Sequence, residues 1–110
     1  MPNVTMTNPE GERIIYINQS VPVGTLNSDE VANAEILERV QIFWKTKGQQ
    51  TDGRLQGTHI DNPQATDWFD IQALSAGLNP IVAVCVDKLR IQLVQSLNTQ
   101  VNELSVFGAT

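Results

Sequence analysis

The sequence predicts an all-β fold, an antiparallel β-sandwich of jelly-roll-like character with an extended N-terminal arm. Three observations predict it. Short segments rich in β-branched and aromatic residues recur along the chain, separated at near-regular intervals by clusters of Gly, Pro, Asn and Asp. Residues 40–45 and 88–93 alternate apolar and polar side chains, the period of a half-buried strand. No stretch is long and periodic enough to read as a helix.

Residues 1–12 are polar, contain Pro2, Pro9 and Gly11, and read as an extended arm. Arg13-Ile14-Ile15-Tyr16-Ile17 reads as a strand. Pro22, between Val21 and Val23, lacks the N–H that a central strand donates, so the segment fits a sheet edge or a linker. The chain therefore divides into an arm with an edge strand over 1–24 and a sandwich over 25–110. Residues 28–39 are ambiguous. Ser28 suits a helix N-cap, with Asp29 and Glu30 behind it, but Asn33 is a poor interior helix residue. A strand would group Ala32, Ala34 and Ile36, and the segment is read as irregular or strand.

From Arg39 the pattern sharpens. Val40, Ile42 and Trp44 share one face; Gln41, Phe43 and Lys45 share the other. Residues 48–53 form a polar turn with two glycines, and 54–60 a weakly alternating strand around Leu55 and Gly57. Asp61-Asn62-Pro63 is a turn, 68–71 a short strand, and 75–80 a turn containing Gly77 and Pro80. The continuous apolar run 81–86 predicts a strand buried on both faces, with Cys85 a small buried hydrophobe inside it. Leu89, Ile91 and Leu93 then oppose Lys88, Arg90 and Gln92. A turn at 96–99 leads to a closing strand over 101–107.

Composition narrows the function classes. The 110 residues amount to one domain, 41% hydrophobic and only 17% charged, so the surface is finished with uncharged polar groups. Seven basic against twelve acidic residues give a net charge of −5, and the densest basic spot is Lys45 with Lys47. Direct nucleic-acid binding, which draws on clustered cations, is not expected. No apolar run approaches a membrane span, and the N-terminus has neither a basic nor an apolar leader region, so neither membrane nor secretory routing is expected. The sequons at Asn3 and Asn18 are accordingly given no role.

Chemistry has little to work with. There is one histidine, His59, and one cysteine; no glycine-framed nucleophile, phosphate loop or dinucleotide fingerprint is present. His59, Asp61, Asp67 and Asp70 fall close together in sequence but match no metal-loop spacing. The chain is read as a non-enzyme without a cofactor or metal. Among the aromatics, Trp44 belongs to the core face, whereas Phe43 is the better candidate for a contact surface. Trp68 and Phe69 are adjacent in a strand, so one of them faces outward and needs a partner, a covering loop or a stacked sugar.

The order of these segments resembles that of small β-sandwich proteins encoded in the structural gene clusters of tailed bacteriophages. The residues that carry the resemblance are Val40-Gln41-Ile42-Phe43-Trp44, then Thr66-Asp67-Trp68-Phe69-Asp70-Ile71 after a Gly-marked strand, then Asp87-Lys88-Leu89-Arg90-Ile91-Gln92-Leu93, and a final strand over 101–107. The resemblance spans roughly residues 20–108. It departs from the pattern over 25–36 and at His59, where a small polar residue is usual. It implies a virion component, assembled in the host cytoplasm: a capsid decoration (cement) protein bridging capsid subunits, forming homo-oligomers with trimers favoured. Its partners would be the major capsid protein or other virion proteins. On this reading the arm, 2–12, together with Ile14, Tyr16, Val21 and Val23, carries the contacts. The alternative is a tail- or fibre-associated glycan-binding module using Trp68 or Phe69.

Overall fold

The computed structural model describes residues 3–4, 12–32, 34–96 and 100–109. Among these residues are ten strands: β1 (Asn3–Val4), β2 (Glu12–Val21), β3 (Gly24–Asn27), β4 (Arg39–Thr46), β5 (Thr51–Thr58), β6 (Phe69–Leu74), β7 (Gly77–Leu78), β8 (Val82–Ala83), β9 (Lys88–Gln95) and β10 (Gln100–Ala109). One sheet has the order β1-β2-β10-β4-β7, with β8 also paired to β4; the other runs β3-β9-β5-β6. The pairings are antiparallel. The two sheets share one core, so the fold is the all-β sandwich that the residue pattern predicts.

Alternation builds that core. Val40, Ile42 and Trp44 of β4 and Leu104 and Val106 of β10 point inward from the first sheet. Leu55 of β5 and Leu89, Ile91 and Leu93 of β9 meet them from the second. Each such side chain taken out of water stabilises the fold by about 1.5–3 kcal/mol.

β2 corrects the expected boundary at residue 24. It pairs with β10 along its length and with β1 at Ile15 and Tyr16, so residues 12–21 belong to the sandwich rather than to an arm. Pro22 lies beyond β2, in the link that carries the chain to the second sheet. The register slips between Val106 and Phe107. This bulge gives β2 one extra residue, Ile14, and both Ile14 and Ile15 turn into the core. Ile14 and Val21, expected to face a partner, are 1% and 0% exposed and offer it no surface. Apart from Asn3 and Val4, the arm expected over 2–12 lies outside the described residues, save for Glu12 at the start of β2.

Three other segments differ from expectation for identifiable reasons, whereas 28–38 are irregular, as read from the sequence: the described residues there form one 3-10 turn, Ala34–Ile36, and no capped helix. Ser28 instead docks on β9: its N–H donates to the Ile91 carbonyl, and its Oγ accepts from the Ile91 N–H, both at 2.8 Å. The turn after β4 is shorter than 48–53. It ends at Gln50, whose φ of 59° lies in the left-handed region, and Gly53 sits inside β5. Within 75–80, Gly77–Leu78 forms a short strand against β4. The run 81–86 is not a doubly buried strand. β4 begins only at Arg39, so just Val82 and Ala83 find partners there, Ile81 and Cys85 are exposed, and Val84 reaches the core. Most of the turn expected at 96–99 lies outside the described residues.

Two outcomes follow from this packing. A Cβ at Gly53 would sit 2.7 Å from Trp44 Cζ3 and 2.8 Å from Cη2, against a fully buried ring. Gly53→Ala should therefore destabilise the fold by about 1–3 kcal/mol in urea titration. A wild-type midpoint in that variant would mean the ring has room to move. The exposed Cys85 thiol should react with a chromogenic disulfide reagent in the native protein at a rate within about tenfold of an unfolded-chain control.

Candidate contact surface

The outer face of the first sheet is built by the same alternation that builds the core. With Val40, Ile42 and Trp44 inward, β4 presents Arg39, Gln41, Phe43 and Lys45 outward. Register then sets their neighbours. Leu78 of β7 lies opposite Phe43, Phe43 opposite Ser105 of β10, and Ser105 opposite Tyr16 of β2. In the adjacent row, Gln41 lies opposite Phe107, and Phe107 opposite Arg13. Directly opposed side chains sit about 5 Å apart at Cβ, and diagonal ones remain within reach of an aromatic ring. Leu78, Phe43 and Phe107 thus form an apolar strip across three strands. Leu78 is 69% exposed, and Phe43 and Phe107 are both exposed.

Ile81, 61% exposed, extends the strip. With Phe107, Arg39, Gln41 and Ala109 it lines an open pocket of about 130 Å³. A contiguous apolar surface of this kind marks an interaction site more often than scattered exposed residues do.

A polar network borders the strip. Tyr16 OH donates to Glu103 Oε1 at 2.9 Å and accepts from Asn18 Nδ2 at 2.9 Å. Lys45 Nζ lies 3.3 Å from Glu103 Oε2, and the Arg13 guanidinium stacks 4.3 Å from the Tyr16 ring centre. The Tyr16 hydrogen bond, helped by the hydrogen bond and charge of Lys45 and by the charge of Arg13, outweighs desolvation and holds the Glu103 carboxyl below its ordinary value of 4.5. An apolar centre with a polar rim is the usual anatomy of a protein contact.

The strip rests on a braced edge. Between β7 and β8, Asn79 stands in for a missing strand. Its N–H donates to the Ile42 carbonyl at 2.9 Å, and its Nδ2 donates to the Ile42 and Ser75 carbonyls. Its own carbonyl accepts from Gln41 Nε2 at 3.0 Å.

The remaining sequence-derived candidates are dispersed. Tyr16 and Phe43 lie on this face. Val23 is exposed in the link between β2 and β3, and Phe69 is exposed at the start of the edge strand β6. Trp68 is only 8% exposed: it lies against the outer face of the second sheet beneath Arg90, whose guanidinium is 4.4 Å from the ring centre. Its ring provides no open stacking platform. Burial lowers the Arg90 pKa from its ordinary value, with Glu30 partly opposing the shift.

The residues weighed as metal ligands have separate partners. His59 Nδ1 is 3.4 Å from Asp87, Asp61 is 3.6 Å from Lys88, Asp67 accepts from the Gln64 N–H, and Asp70 holds Arg54 and Gln56. Among the described residues, no three His, Cys, Asp or Glu side chains converge as metal ligands would.

Leu78, Ile81 and Phe107 are the exposed apolar residues of the strip that sequence reading does not single out. Phe107 alone carried a usable signal, since it is out of phase with Leu104 and Val106 in the closing strand. Comparison with protein-family models, curated proteins and solved structures finds no match to this chain.

Tyr16→Phe should raise the Glu103 titration midpoint toward 4.5, read from side-chain carbon shifts in NMR. The sign follows from linkage. A depressed folded-state pKa adds stability above the unfolded value, and that addition is lost as pH falls through the folded value. Removing the hydroxyl should therefore flatten the dependence of stability on pH in the acid range. An unchanged midpoint would show that Tyr16 is not the main cause.

Proposed function

We propose that this chain is a non-catalytic structural protein of a bacteriophage virion, a capsid decoration protein that packs the outer face of its first sheet against capsid subunits. The observation that carries the reading is the exposed apolar strip of Leu78, Phe43, Phe107 and Ile81 on a braced sheet. The resemblance of segment order to phage β-sandwich proteins supports the virion assignment. The uncharged polar surface suits many wet contacts, and repetition by capsid symmetry multiplies a modest single contact. Assembly of the chain into trimers belongs to the same reading, through surfaces other than this strip.

Phage heads stripped of this chain, titrated with purified protein, provide the test. Phe43→Asp and Phe107→Asp should each weaken binding by about tenfold or more, since a charge at the centre of an apolar contact is desolvated without a partner. Both positions are exposed, so circular dichroism should stay native. Undiminished binding by both variants would place the contact elsewhere. Absence of the chain from intact particles by mass spectrometry would end the virion reading.

A further inference from the structure

We infer that the outer face of the first sheet selects an acidic protein surface carrying a large apolar side chain, and not a second copy of this chain. The inference rests on reading this face as a contact surface, and not on the virion assignment.

Charge distribution carries it. The chain has a net charge of −5, yet the outward positions of β2, β4 and β10 are cationic. Arg13, Arg39 and Lys45 stand there against the single described carboxylate of Glu103, which lies 3.3 Å from Lys45 and also feels the field of Arg13. Three of the seven basic residues therefore gather around the strip. Eight of the twelve acidic residues lie on the described loops and on the second sheet, away from these outward positions; Glu38, next to Arg39, donates its N–H to the Ala109 carbonyl at the edge of the pocket.

The position of the cations matters as much as their number. Arg39 lines the pocket together with Ile81 and Phe107, so apolar side chains and a cationic residue are offered together. Arg13 stands opposite Phe107 on the other side of β10. An apolar side chain inserted beside Phe107 is thus flanked by a cation on either side. The surface that satisfies all three groups has a Leu- or Phe-like residue with neighbouring carboxylates, and a guanidinium receives a carboxylate through two parallel hydrogen bonds.

The same face of a second copy does not fit. A two-fold contact through this face would set the cationic patch against itself, bringing Arg13, Arg39 and Lys45 toward the same three cations of the second copy. Juxtaposed like charges oppose such pairing and favour a partner of opposite sign.

The test sorts a yeast-displayed random peptide library against the full chain. The enriched peptides should be net acidic with at least one large apolar residue. Their affinity should fall about tenfold when Arg13→Glu and Arg39→Glu are combined, and it should drop with added salt as screening removes the charge attraction. Phe107→Asp should remove the enrichment. Neutral or basic enriched peptides, enrichment no greater than with Phe107→Asp, or affinity indifferent to salt would each overturn the inference. Sedimentation equilibrium of the full chain tests the rival occupant. A dimer that forms in wild type and dissociates in Phe107→Asp would give the face to a second copy and overturn the inference. The head-binding titration decides the virion assignment separately, so either idea can fail without the other.

Discussion

The seating of the Trp44 indole on Gly53 is the contact on which the sandwich and its outer surface both depend. Trp44 projects from β4 across the gap between the sheets and is fully buried, and the space its ring occupies exists because position 53 has no Cβ. Its Nε1 donates to Asn102 Oδ1 on β10 at 3.1 Å, and the same oxygen accepts from the Gly48 N–H at 3.0 Å. One side chain thereby ties β4, β5, β10 and the turn between β4 and β5. It also sets the phase of β4. With Trp44 inward, Phe43 must face out, and a slip of one residue would exchange the two. The exposed strip is therefore a consequence of the buried indole.

Irregularity in β10 completes the arrangement. This strand slips in register against β2 between Val106 and Phe107, and against β4 between Glu103 and Leu104. The first slip sends Ile14 into the core while leaving Arg13 and Phe107 together on the outside. The second makes Lys45 the extra residue of β4 beside Glu103, while the unbroken register with β2 brings Tyr16 to the same carboxylate. Bulges of this type re-aim side chains without interrupting the sheet. Here they separate the apolar strip from its polar border.

The strands legible in the sequence are those whose burial is one-sided. β4 and β9 alternate because each has a wet face and a dry one, and Val40, Ile42, Trp44, Leu89, Ile91 and Leu93 all point as the period requires. What sequence could not supply depends on partners distant along the chain. Gly53 reads as a turn residue because its neighbours are polar and Gly48 is nearby; its packing role needs Trp44. Ile14 reads as the outward neighbour of Ile15 because a bulge leaves no local mark. The run 81–86 reads as buried because continuous apolarity is the mark of a doubly covered strand, and only the distant β4 decides that just Val82 and Ala83 are paired. Of the surface strip, Phe43 was legible from alternation alone. Leu78 became its neighbour only through pairing across a long connection. Trp68 was left open as outward or covered, because the Arg90 that covers it lies far along the chain.

The two outer faces differ in what it would cost to cover them. The second sheet closes its own surface. Arg54 binds Asp70, Gln56 donates to Asp70, Arg90 donates to Gln56, and the Arg90 guanidinium covers Trp68. Covering that face would desolvate groups that already satisfy one another, with little apolar area gained in return. The first sheet has its polar groups gathered at one border and its largest apolar side chains in water. Covering that strip removes apolar surface at about 25 cal/mol per Å². It leaves the hydrogen bonds of Tyr16, Glu103 and Lys45 at the rim, where water still reaches them.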